Sequence, residues 1–124
     1  MFDNLKTLGA LSGLMKNKER LAESARRVRD ELASARVVGE SGGGLVRAVA
    51  TGDMRVVSVE LAPTLGAGLG ASETDRAMAG ALIAEAVNEA IARAKDRAQE
   101  VIRRETEALG LPSDLGGLGA DLFR

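Results

Sequence analysis

Apolar and small residues recur in alternating steps of three and four along the first third of the chain. Over residues 11–35 this spacing places them on one side of a helix, which predicts an amphipathic helix packed against the rest of the molecule. Lys18 interrupts the stripe, and the other faces of the predicted helix are charged. The stripe consists of Leu11, Leu14, Leu21, Ala25, Val28, Leu32 and Ala35.

The helical period is lost after residue 35, and a β-type pattern replaces it. The β-branched pair Val37 and Val38 predicts a first strand over residues 36–41. Two further apolar segments predict strands over residues 45–51 and 54–61.

A short glycine-containing connection and an alternating pattern define the third predicted strand. Gly52-Asp53 predicts a two-residue hairpin in which the glycine adopts a positive φ. In the strand that follows, alternation predicts one buried and one solvated face. The residues assigned to the buried face are Val57, Val59 and Leu61.

The glycine-rich segment GESGGG, residues 39–44, raises the question of a phosphate-binding loop. A P-loop requires a lysine and a following helix whose N-terminus faces the phosphate. Here the segment leads through Leu45 and Val46 into a strand, and the lysine is missing. We interpret the segment as the bend and bulge region of a small sheet.

A second and longer helix is predicted over residues 72–109. Ser72 followed by Asp75 resembles a capping box, and Gly110 with Pro112 supplies the stop. At 1.5 Å per residue such a helix is about 57 Å long, more than a small monomer can cover. Its alanine-rich stripe therefore predicts close helix–helix packing.

Two points about this helix depend on glycines. The segment LGAGLG, residues 65–70, predicts a flexible connection before the helix. Because glycine weakens a helix, the sequence does not decide whether the helix is continuous or interrupted near Gly80.

The composition excludes most catalytic chemistry. The chain of 124 residues has no Cys and no His, and two Phe are its only aromatic residues. Imidazole and thiol catalysis, disulfides and Cys/His zinc sites are therefore excluded, and base stacking is not expected. We predict that the protein is not an enzyme and has no cofactor, metal or small-molecule substrate. With no signal peptide and no apolar run of about 18 residues, it is predicted to be soluble and cytoplasmic, without a membrane partner.

The net charge is only −1, but the charges are unevenly distributed. Residues 16–36 contain seven basic and four acidic side chains, a local charge of +3. Residues 93–104 contain five basic and two acidic side chains, again +3. These two segments are the candidate nucleic-acid contacts, and ordinary solvated charges paired along each helix are the alternative.

Antiparallel packing of the two predicted helices on one sheet places the start of the first beside the end of the last. On this basis Lys16, Lys18 and Arg20 are expected at the level of Arg103 and Arg104.

Several motifs resemble those of the YbaB/EbfC family of nucleoid-associated proteins, and the resemblance covers nearly the whole chain. GESGxGLV between a charged helix and a hairpin is the most specific of them. The matching segments are Met1-Phe2, Gly13-Leu14-Met15-Lys16, Val37 with residues 39–46, Val57-x-Val59-x-Leu61-x-Pro63 and residues 86–90.

The resemblance implies an α+β fold, α-β-β-β-α, with a small antiparallel three-stranded sheet and two long projecting helices. It implies a homodimer formed through the sheet, which binds duplex DNA with little sequence preference at the nucleoid and affects nucleoid organisation or gene expression. Residues 1–109 would form the single domain, and residues 110–124 a flexible Gly-rich tail.

The family's DNA contacts are attributed to the projecting helices. Lys16 and Arg93 match basic positions of the family's motifs. The remaining candidates are predicted from position and charge alone: Lys18, Arg20, Arg26, Arg27, Arg29, Lys95, Arg97, Arg103 and Arg104.

A second function stays open from the sequence. The same helices and alanine-rich stripe would also suit a protein–protein interaction module in which DNA contact is incidental, and a net charge of −1 favours that alternative.

Overall fold

A computed structural model describes residues 2–110, with side-chain positions from residue 15 onward. The order of elements is helix, three strands, short helix, long helix, which confirms the predicted α+β class with a small antiparallel sheet. The elements are α1 Phe2–Ser34, β1 Arg36–Ser41, β2 Val46–Thr51, β3 Val56–Leu61, α2 Pro63–Gly68 and α3 Glu73–Ala108. The predicted tail lies outside the described residues, apart from Gly110.

Helix α1 begins nine residues before the predicted start at residue 11 and ends within one residue of its predicted end. At its C-terminus the Arg36 guanidinium donates to the carbonyl oxygens of Ala33 at 2.9 Å and Ala35 at 3.1 Å. These bonds satisfy carbonyl groups that have no partner inside the helix, and β1 follows at once.

The sheet has the order β1-β2-β3, and both pairs are antiparallel. Val46, Ala48 and Ala50 of the central strand are fully buried on the face that α3 covers. A β-bulge interrupts the pairing of β2 with β3 between Val49 and Ala50. The bulge therefore lies in the second hairpin, and the glycine-rich segment forms only the bend.

That bend supports the interpretation of the glycine loop as backbone geometry. Gly42, Gly43 and Gly44 have φ values of 60°, 68° and 97°, a region that glycine enters without steric cost. The chain enters β2 directly afterwards, so no helix N-terminus faces the loop.

The prediction of a two-residue hairpin at Gly52-Asp53 was wrong. Residues 52–55 connect β2 to β3, and the positive φ, 66°, belongs to Met54. Gly52 serves packing instead, because a Cβ there would lie 2.9 Å from the carbonyl oxygen of Leu32. Its missing side chain lets the end of α1 sit against the end of β2.

Helix α3 lies across β1 and β2 at short range. A Cβ on Gly39 would lie 2.3 Å from backbone atoms of both Ala86 and Ala90. Glycine in the strand and alanine in the helix are thus the residues that permit this approach. The alanine-rich stripe covers the protein's own sheet along this part of α3.

The start of α3 confirms the predicted cap, since the Ser72 hydroxyl accepts from the Asp75 backbone N–H at 3.1 Å. The helix is continuous through Gly80. The segment before it differs from the prediction: Pro63–Gly68 is a short helix, with proline at its start, where a flexible connection was expected.

The prediction of a buried face on β3 was also wrong for the single chain. Val57 is 53% exposed and Val59 39% exposed. Leu61 packs partly buried against the core, but α3 covers mainly β1 and β2, so Val57 and Val59 remain exposed at the β3 edge of the sheet.

Candidate nucleic-acid interface

Beyond the sheet, α1 and α3 form an antiparallel pair held by a small apolar cluster. The cluster consists of Val28, Leu32, Ala98, Val101 and Ile102, all buried. It joins the second half of α1 to the second half of α3, so the predicted antiparallel arrangement is confirmed.

The level at which the two helices meet differs from the prediction. Arg104 lies opposite Glu31, while Asn17, Arg20 and Leu21 share a small cavity with Leu109. Arg20 therefore lies beside the end of α3, beyond Arg103 and Arg104, and Lys18 and Lys16 lie farther still along α1. The offset arises because Val28 and Leu32 of α1 pack against Ala98, Val101 and Ile102 of α3.

A polar cluster, which we call the cross-helix cluster, sits beside the apolar one. The Glu105 carboxylate accepts from the Ser24 hydroxyl at 2.8 Å and from the Arg27 guanidinium at 2.6 Å. Ser24 is 1% exposed, so its hydroxyl needs this internal acceptor. Glu31 and Arg104 complete the cluster as a second ion pair between the helices.

The charges in this cluster shift the titration of its members. Hydrogen bonds from Arg27, which has the larger effect, and from Ser24 lower the pKa of the Glu105 carboxylate. The same bond to Glu105 raises the pKa of Arg27. The carboxylate is thus held in its ionised form, which keeps the two helices bridged.

Two further predicted contacts are engaged in ion pairs along α3. Arg103 binds Glu100 at 2.7 Å and Glu107 at 2.8 Å, and the hydrogen bond from Arg103 lowers the pKa of Glu100. Arg93 binds Glu89 at 2.8 Å.

Arg93 also has a structural role in the fold. Its guanidinium donates to the carbonyl oxygen of Val38 in β1 at 2.8 Å. The residue that matches a basic position of the family motif therefore ties α3 to the sheet.

All eleven predicted DNA-contact residues are exposed. Four of them, Arg27, Arg93, Arg103 and Arg104, form ion pairs. The other seven form none with the described side chains: Lys16, Lys18, Arg20, Arg26, Arg29, Lys95 and Arg97. The helix pair thus carries two groups of basic side chains, one held in ion pairs and one without an ion pair to the described side chains.

An open groove of about 600 Å³ runs along one side of the helix pair. Its apolar floor includes Leu32, Ala98 and Ile102, and Arg26 and Arg29 stand at its rim. Sequence reasoning missed this groove, because it arises where α1, α3 and the β2–β3 connection meet.

The edge strand β3 supplies a second candidate surface, which was not part of the predicted site. Val56, Val57 and Val59 of the strand, and Met54 in the connection before it, are large apolar side chains left exposed there. The alternating pattern of the strand predicted a buried face, but it did not identify the surface that would cover that face.

The described residues contain no group of three or more His, Cys, Asp or Glu side chains arranged to hold a metal ion. None of the described helices is both long enough and apolar enough to cross a membrane.

Comparisons with known proteins agree with this architecture. The family model of the YbaB/EbfC DNA-binding family matches residues 8–109. A protein named nucleoid-associated protein in Pseudomonas fluorescens (strain Pf0-1) is 35% identical over 107 residues, covering 86% of this chain and 94% of its own.

A solved structure is similar in fold. The crystal structure of an uncharacterized protein from Helicobacter pylori superposes with a TM-score of 0.54 at 15% identity, covering 73% of this chain and 87% of its own. The sequence matches span most of the chain, and this protein therefore belongs to the YbaB/EbfC DNA-binding family.

Proposed function

We propose that the protein is a nucleoid-associated protein that binds duplex DNA as a homodimer, with low sequence specificity, through basic residues on α1 and α3. The observation that carries the proposal is the helix pair: two helices with exposed cations, joined in antiparallel fashion beside the sheet. Membership of a DNA-binding family supports the ligand. The name of the Pseudomonas relative supports a location at the nucleoid in the cytoplasm.

The exposed β3 edge supports the homodimer. An edge strand presents unpaired N–H and C=O groups, and natural proteins usually protect such edges. Here the edge carries exposed Val57 and Val59, and its one charged residue, Glu60, is paired with Arg47 of β2. A second copy that pairs through β3 would cover both the backbone groups and the apolar side chains.

Low specificity follows from the type of contact. Lysine and arginine on a helix surface bind phosphates, which position a protein on DNA but carry no sequence information directly. Between residues 3 and 122 the chain has no aromatic side chain to insert between bases. Affinity should therefore depend mainly on counterion release and fall steeply with salt.

The first experiment is a titration of protein with a verified dimeric mass into several unrelated labelled duplexes at two salt concentrations. We expect similar affinities for all duplexes and strong weakening at the higher salt. If the protein binds no duplex at low salt, the DNA-binding proposal is wrong and the protein–protein interaction module becomes the better hypothesis.

The homodimer has its own test. The variant Val57→Lys/Val59→Lys places two charges on the β3 edge and should give a monomer in sedimentation analysis. Met78→Lys is the matched control, since Met78 is also an exposed apolar residue but lies on α3. A monomeric wild-type protein, or a dimer unaffected by the β3 charges, would refute dimerisation through this edge.

A further inference from the structure

We propose that DNA contacts the helix pair from only one side, the side of the groove. This groove flank carries Lys18, Arg26 and Arg29 of α1 and Lys95 of α3. The opposite side, the paired flank, holds the two helices together and does not bind phosphates. The inference rests on the proposed DNA binding and specifies which of the exposed cations perform it.

The geometry of α1 places its groove-flank cations together. Arg26 and Arg29 both line the groove, one helical turn apart. Lys18 precedes Arg29 by eleven residues, which is about three full turns at 3.6 residues per turn. The three side chains therefore project on the same side of α1.

The geometry of α3 adds a fourth cation to that side. Ala98 and Ile102 line the groove from α3. Lys95 precedes them by three and seven residues, the spacing of one helix face. It forms no ion pair with any side chain in the described part of the chain.

On the paired flank, glutamates occupy the arginines that reach across to the other helix. Both ion pairs between α1 and α3, among the described side chains, lie there: Arg27–Glu105 and Arg104–Glu31. The pairs within α3, which join Arg103 to Glu100 and Glu107 and Arg93 to Glu89, lie on the outer face of that helix. Arg97 is near enough to Glu100 to favour its ionised form. Arg27 and Arg104 are thus each held by a glutamate of the other helix.

The groove flank keeps a positive balance. Its four cations face two carboxylates that line the groove, Asp30 and Asp53, and a third on the same side of α1, Glu19, which precedes Arg26 by seven residues. Asp53 accepts a hydrogen bond from the Thr51 hydroxyl and so belongs to the β2–β3 connection. A DNA backbone that crosses the rim of the groove meets Arg26 and Arg29 without having to displace a glutamate. Charge complementarity therefore favours this approach.

The difference between the flanks can be tested with two double variants that remove the same charge. Arg26→Gln/Arg29→Gln alters the groove flank, and Arg97→Gln/Arg104→Gln alters the paired flank, because Arg97 and Arg104 lie seven residues apart on one face of α3. Both are titrated into the same labelled duplex over a series of salt concentrations. Because the charge change is identical, long-range attraction falls equally, and the remaining difference reports direct contact.

We expect the groove-flank variant to lose affinity by about eightfold for each phosphate contact removed at 0.1 M salt, and its salt slope to fall by about 0.9 per contact. The paired-flank variant should lose much less and should keep nearly the wild-type slope. An equal or larger loss in the paired-flank variant would overturn the inference.

A second pair of variants tests the same inference by gain of binding. Asp30→Asn removes a carboxylate from the groove, whereas Asp96→Asn removes one from the exposed outer side of α3. We expect Asp30→Asn to tighten DNA binding more than Asp96→Asn does. Equal effects would contradict the assignment of the groove flank.

The oligomeric mass of each variant in solution shows whether a loss of DNA binding comes from a lost DNA contact or from a changed contact between subunits. If Arg26→Gln/Arg29→Gln changes the oligomeric state, the groove belongs to a contact between subunits and the inference is wrong. If the wild-type protein fails to bind DNA, the proposed function itself fails, which is a different result from wild-type binding with no difference between the flanks.

Discussion

Gly39 lies tightly against the backbone of α3, and this contact allows a sharp prediction about stability. A methyl group at this position would lie 2.3 Å from the carbonyl oxygen of Ala86 and 2.3 Å from the backbone nitrogen of Ala90. Ordinary contacts of a Cβ begin near 3.4 Å. The variant Gly39→Ala therefore requires β1 and α3 to separate locally by about 1 Å, in an interior that is otherwise close-packed.

No rotamer change relieves this clash, because both atoms belong to the backbone of a continuous helix. The separation also loosens Val46, Ala48 and Ala50, which are fully buried beneath α3. Overpacking of a core usually costs about 1–3 kcal/mol, and a clash with backbone on two sides places Gly39→Ala at the upper end, about 3 kcal/mol. This is a large part of the roughly 5–15 kcal/mol that stabilises a typical domain.

The measurement is urea unfolding followed by circular dichroism at one fixed protein concentration, since the apparent stability of a dimer depends on concentration. Gly43→Ala is the matched control, because a Cβ there meets nothing within 4 Å and only the φ of +68° opposes it. We expect the control to lose about 1–2 kcal/mol from the left-handed backbone alone. If Gly39→Ala loses no more than the control, the packing argument is incorrect.

Three further predictions concern the loop, the helix cap and the cross-helix cluster. Gly44→Val should damage folding or dimerisation, because a β-branched residue does not tolerate the φ of +97°, and loss of the folded far-UV spectrum or of the dimeric mass would show it. Ser72→Ala should lower the free energy of unfolding by about 1 kcal/mol through loss of the bond to the Asp75 N–H, whereas Ser72→Asp should retain most of it. Because the fold lowers the pKa of Glu105 below its ordinary 4.5, the stabilisation from its carboxylate is complete above that value and is lost as the pH falls through the lower folded value. Unfolding measured across this acidic range should therefore show a smaller pH dependence for Glu105→Gln than for the wild-type protein, and identical slopes would contradict the role of the Arg27 contact.

The local features of the fold follow from the sequence because their causes are local. The 3.6-residue spacing of apolar positions determines α1 and α3, and Ser72 with Asp75 determines where α3 begins. The run of glycines determines the bend before β2, since only glycine enters that backbone region without cost. The exposure of the predicted cations follows from the same helical periods.

The tertiary structure alone decided which surfaces these elements leave open. The alternation in β3 does not reveal that α3 stops short of Val57 and Val59, because coverage depends on where Gly39 lets the helix lie. The same holds for the β2–β3 connection, where the positive φ falls at Met54 while Gly52 packs against Leu32 at the end of α1.

The candidate site shows the same division. The sequence determined that two helices carry local positive charge, and it supplied all eleven candidate residues. Only the register and rotation of α1 against α3 decided that Arg27 meets Glu105 and Arg104 meets Glu31, across sequence separations of 78 and 73 residues. Contacts at such separations depend on how Val28 and Leu32 of α1 pack against α3. The periodicity of one helix cannot predict which charged residue of the other helix will lie opposite.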